Sequence, residues 1–186
     1  MKLRTATIAL TLVAAGLALT TGSVGATAAP TSRAAAAAAP YCGLTWGSLD
    51  RESGVLSVAS LSAIRTGQHA CFDRLVFELD GPANGYRVHY GEAYTQGQGM
   101  ALSPFTAGGA VLEVVLLTPT SLAIQAGAHP LNVAGYRTLR DVVGGGSFEG
   151  YTTFAVGVRA RLPFQVTVLS GPGTHSRIVL DVAHLW

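Results

Sequence analysis

Residues 74–79 read Arg-Leu-Val-Phe-Glu-Leu, and a phrase of the same form, Arg-Ile-Val-Leu-Asp-Val, returns at 177–182. In both, apolar residues fall on every second position, and an arginine and an acid stand four residues apart between them. Side chains of a strand point alternately to its two faces, so a period of two puts one set in a core and the other outside it. The pattern predicts Leu75, Phe77 and Leu79, and Ile178, Leu180 and Val182, facing inward. Arg74, Glu78, Arg177 and Asp181 then lie on the opposite face, where sheet building accounts for them better than a ligand site does. Repetition of the phrase predicts a pseudo-symmetric domain in which two similar halves each supply an equivalent strand.

The same period runs through most of the chain from Tyr41 to Trp186. Val55 to Ile64 is β-branched and Ser-rich, and Tyr86, Val88 and Tyr90 alternate with Arg87 and His89. Ala110 to Leu117 is nearly continuous apolar sequence, as expected of a more central strand. Further strands are predicted near Tyr136 to Val143, Thr152 to Ala160, Phe164 to Leu169 and Arg177 to Ala183. Turn residues separate them at Asp80-Gly-Pro82, Gly97–Gly99, Gly108-Gly109, Gly144–Gly146 and Gly171-Pro-Gly173. The Gly-rich run 144–150 reads as a flexible turn joining two strands. About eight short strands with such punctuation predict one all-β sandwich. The longer connection Thr118–Asn132, with Pro119 and Pro130, is the irregular part, and its Ser121–Ala126 stretch suits a short helical turn.

The amino terminus sets the compartment. Met1-Lys-Leu-Arg4 is a short basic start, Thr5–Thr20 is apolar apart from small hydroxyls, and Ala26-Thr-Ala28 has small-x-small form. This is a secretory signal peptide over residues 1–28, and its apolar run is short for a membrane span of about 20 residues. An Ala- and Pro-rich flexible leader, 29–40, precedes the domain at 41–186. Loss of the signal would remove Lys2 and Arg4 and leave ten arginines against ten acids, a formal net charge of zero. That balance argues against nucleic acid as a partner. Cys42 and Cys71 are the two cysteines of a chain expected to be exported, so they are predicted to form a structural disulfide.

Four separated stretches, YCGLTWGS at 41–48, HACFDRLVFELDGP at 69–82, GYRTLRDV at 135–142 and GSFEGYTTFAVGVRARLPF at 146–164, resemble the AMIN-like domain of secreted proteins from high-GC Gram-positive bacteria. That group is related to the AMIN domain of periplasmic cell-wall amidases and pilus secretins. The resemblance implies a β-sandwich of two small pseudo-symmetric sheets and non-catalytic binding of peptidoglycan or targeting to the cell envelope. The chain ends at Trp186, close behind its last predicted strand, so the module is expected to act by itself or on a separate partner.

Catalytic signatures do not assemble from the sequence. The five histidines are dispersed without His-Glu-x-x-His spacing, which predicts surface histidines and no metal or other cofactor. Gly144–Gly150 misses the Gly-x-Ser-x-Gly spacing of a nucleophile elbow, and no two acids are paired by spacing. The chain therefore reads as a non-enzyme. For binding, Arg159 and Arg161 share a strand face and Arg137 and Arg140 sit in the preceding strand region; their guanidinium forks suit carboxylates or phosphates. Salt bridges of these arginines to Asp141, Glu149 and Asp181 are the competing use. Tyr86 and Tyr90 share a face, either as core or as stacking platforms for sugar rings. The sequence thus predicts a secreted, envelope-associated protein whose partner is a cell-wall glycan or anionic wall polymer. The alternative is a scaffold for other exported proteins, engaged by pairing a sheet edge.

Overall fold

The computed structural model describes residues 39–186, so the signal peptide and nearly all of the leader lie outside the described residues. Nine strands follow one another: β1 (Arg51–Ser53), β2 (Ser60–Gln68), β3 (Phe72–Asp80), β4 (Tyr86–Tyr90), β5 (Ala110–Leu116), β6 (Leu139–Phe148), β7 (Tyr151–Val158), β8 (Phe164–Ser170) and β9 (Ser176–Ala183). Two antiparallel sheets result, β1-β4-β5-β7-β6 and β2-β3-β9-β8. Helical geometry among the described residues is confined to 3-10 turns at Tyr41–Gly43 and Ser103–Phe105. The protein is all-β, as its period predicts.

The repeated phrase supplies the two central strands of the smaller sheet. β3 and β9 pair antiparallel so that Arg74 faces Asp181 and Glu78 faces Arg177. Each copy therefore sets its arginine opposite the other's acid, the arrangement that favours cross-strand pairing. Both copies thus lie side by side in one sheet. The expected inward residues are all buried, and Phe77 meets Phe154 of the opposite sheet with ring centroids 5.2 Å apart.

The sheets differ in their outer faces. β3 alternates buried and half-buried positions, whereas β7 is buried from Thr152 to Val158. The segment after β4 covers the outer face of the larger sheet, where Ala93 and Leu102 pack on Val143 and Ala155. A Cβ on Gly157 would run into the Ala107 carbonyl, so close passage of this cover requires glycine there.

Three expectations are corrected. Gly144–Gly146 lies within β6, where the ladder shifts register between Gly144 and Ser147, and is not a loop. A Cβ on Gly144 would lie 2.7 Å from Ile124, and Gly144 exchanges backbone bonds with Gly127 and Ala128, so the glycines admit a crossing chain. The reversal falls instead at Glu149-Gly150, both with positive φ, as a two-residue hairpin requires. Val55–Ala59 is not strand, because the chain there crosses from β1 in one sheet to β2 in the other. Ser121–Ala126 forms no helical turn: Thr120 bridges Leu61 and Ser121 donates to the Leu61 carbonyl, which holds the segment along β2.

Cys42 and Cys71 form the expected disulfide, with Cα atoms 6.2 Å apart. It ties the amino-terminal segment to the start of β3, where Trp46 lies against Phe72 with ring centroids 5.4 Å apart.

Candidate functional site

Strand direction brings the candidate arginines to one end of the sandwich. Arg137 precedes β6 and Arg140 is its second residue, while Arg159 and Arg161 occupy the connection from β7 to β8. All four are exposed, and among the described residues none lies within salt-bridge distance of a carboxylate. The salt bridges to Asp141, Glu149 and Asp181 do not form. Asp181 binds Arg74 through both carboxylate oxygens, at 2.6 and 2.8 Å, and Asp141 accepts from His129 and two backbone N–H groups. Bonding to Asp181 also holds the Arg74 guanidinium above its ordinary pKa.

The four guanidiniums instead reach backbone carbonyls. Arg137 donates to Ala70 at 3.5 Å, Arg159 to His184, and Arg140 to Tyr136 and Leu139, each at 2.9 Å. Arg161 donates to the Ser48 carbonyl at 2.9 Å and lies over the Tyr90 ring, 4.9 Å from its centroid. Since a guanidinium has five N–H donors, Arg137 and Arg159 retain most of theirs. These two share a hollow of about 290 Å³ with His184 and Leu185. Arg161 and Tyr90 line a separate hollow with Glu92, and Arg140 borders neither.

The two tyrosines part company. Tyr86 is buried in the core at the far end of β4. Tyr90 is half-buried, its hydroxyl donating to the Leu162 carbonyl at 2.8 Å and accepting from the Leu162 N–H at 3.0 Å. Burial pushes the Tyr90 hydroxyl above its ordinary pKa, partly opposed by its hydrogen bonding to the Leu162 backbone and by the Arg161 charge.

Beneath the Arg137–Arg159 hollow lies a pair that the sequence reading missed. Asp73 and His184 are both buried, and His184 Nε2 lies 3.1 Å from Asp73 Oδ1. The other Asp73 oxygen accepts the N–H groups of Thr138 and Leu139, so one carboxylate fastens the start of β6 to β3 and to the end of β9. His184 Nδ1 is buried with no partner among the described residues. The expectation of surface histidines fails here. The signal was present: Asp73 has the parity of Leu75 and Phe77, and His184 that of Leu180 and Val182, so both are polar residues on inward positions. The other histidines are separate: His89, His129 and His175 each face one acid, and His69 stacks on Phe72.

Residues 59–184 match the AMIN-like domain family. The chain belongs to the AMIN-like family. Membership covers β2 through β9 and suggests a non-catalytic, cell-wall-associated domain, with which the disulfide agrees. Among the described residues no helix is long and apolar enough to cross a membrane. No curated protein matches the chain.

Proposed function

We propose that this exported AMIN-like domain binds the cell wall through anionic groups, the carboxylates of peptidoglycan stem peptides or the phosphates of an attached wall polymer. The observation that carries this reading is the set of four exposed guanidiniums at one end of the sandwich that have no carboxylate partner among the described residues. Arg137 and Arg159 act as the fork around the anion, because their hollow is open and most of their donors are unused. Arg140 and Arg161 add positive field beside it, with Tyr90 supporting Arg161 from below. Tyr86 contributes to folding in this reading. A wider hollow of about 540 Å³ near Gln96 and Phe148 has no charged lining residue and offers an anion nothing.

Co-sedimentation of the purified protein with cell-wall sacculi, with and without their anionic polymer, tests the reading. Retention at low salt should fall as salt rises, and the R137A/R159A double variant should lose about tenfold in affinity. Recovery of all the protein in the supernatant at low salt would overturn it.

A further inference from the structure

Among the described residues the sandwich has four sheet edges, and three are guarded along their length. β1 is only three residues long and carries Arg51 and Glu52. β2 has a register shift between Leu61 and Ala63, an exposed Arg65, and the chain at Pro119–Ser121 bonded along Leu61. β6 is interrupted by two register shifts and is bonded by Gln96, Gly127 and Ala128. Short length, charge, bulges and covering loops are the devices that keep an edge from pairing with another chain.

Among the described residues the edge of β8 lacks them beyond Phe164, which pairs with Gly47. Its sequence, Phe-Gln-Val-Thr-Val-Leu-Ser, has no charge, glycine or proline, and its ladder with β9 is regular throughout. The Phe164 N–H points away from β9, to the Gly47 carbonyl at 2.8 Å. Alternation along a regular strand then turns the N–H and C=O groups of Val166, Val168 and Ser170 outward as well. Those three N–H groups have no partner among the described residues.

We infer that β8 is a self-association edge, pairing antiparallel with β8 of a second copy about a twofold axis at Val168. The free positions choose the centre: Gly47 occupies the place opposite Phe164, and Val168 is the middle of the remaining three outward residues. In this register Val168 faces Val168 of the other copy and Val166 faces Ser170, which forms six backbone bonds. Residue i meets j and j meets i, as an isologous contact demands. No charge meets its like along the seam. A hollow of about 380 Å³, whose lining includes Pro82, Ala83 and Val168 beside the polar Ser170, Thr174 and His175, lies next to the edge where the other copy's Val168 side chain arrives. Half-buried Val168 thereby gains an apolar neighbour.

Thr167 and Leu169 lie on the outer face and oppose each other across the seam. Sedimentation velocity of the full exported chain should show a concentration-dependent dimer. The T167K/L169K variant should weaken dimerisation about tenfold or more, with its far-UV spectrum and Tm retained, and mixing it with T167E/L169E should restore pairing. As a test independent of those charges, T167C/L169C should form intermolecular disulfides on mild oxidation, whereas either single cysteine variant should not. A monomer at every concentration up to about 1 mM, a dimer indifferent to the lysine pair, or absence of the cross-link would overturn the inference.

Discussion

The two sheets solve the problem of their outer faces differently. The smaller leaves its outer face partly wet and fills it with Arg65–Glu78 and Arg74–Asp181, at 2.7 and 2.6 Å, while the larger is dry on both sides over β7. One sheet is therefore held by pairing its own charges, and the other by a loop that must fold over it. The difference teaches that charge alternation marks a strand only where one face keeps access to water. Where a loop removes that access, both faces become apolar and the alternation disappears.

Substitutions can break this contrast. A155D places a carboxylate under the cover of the larger sheet and should cost about 4 to 5 kcal/mol or prevent folding. T167D on the outer face of the smaller sheet, measured in dilute solution, should cost within about 1 kcal/mol. Equal losses in chemical denaturation would erase the distinction between the faces. D73A asks whether the sheets are joined by a polar tie as well as by packing. It leaves the Thr138 and Leu139 N–H groups and His184 without their acceptor and should cost about 3 to 4 kcal/mol, lowering Tm sharply.

Reduction of Cys42–Cys71 releases a strap that enters at the start of β3. The loop it closes spans 29 residues, so reduction or the C42S/C71S variant should lose roughly 3 kcal/mol of stability. Hydrogen exchange should show the loosening first in Tyr41–Gly47 and at the start of β3, with β6 and β7 protected as before. The smallest effect concerns Tyr90, which bonds the connection from β7 to β8. Its folded pKa is raised, so its share of stability is present below about pH 10, the unfolded phenol's value, and is lost as pH climbs beyond it. The stability difference between wild type and Y90F should accordingly narrow above about pH 10.

The same contrast explains what could be read in advance. β3, β4 and β9 were legible because their inner residues keep strict alternation, and the cysteine pair because two thiols in a chain expected to be exported have one intramolecular match. Gly144–Gly146 was misread because a triple glycine signals a turn, while its use here is close approach of a crossing chain inside a strand. At the candidate site, the sequence placed Arg159 and Arg161 near each other but could not place Arg137 and Arg159 in one hollow. That meeting joins the entrance of β6 to the exit of β7 and the end of β9.

By itself the sequence determined the all-β class, the inward faces of its alternating strands and the disulfide partners, because these follow from local periodicity and from a single available match. The tertiary structure decided that the two copies of the phrase lie side by side, which edges are covered and which arginines meet an acid among the described residues. Those properties depend on which distant segments share a surface, and residues separated by a hundred positions become neighbours only through the pairing of strands far apart in the chain.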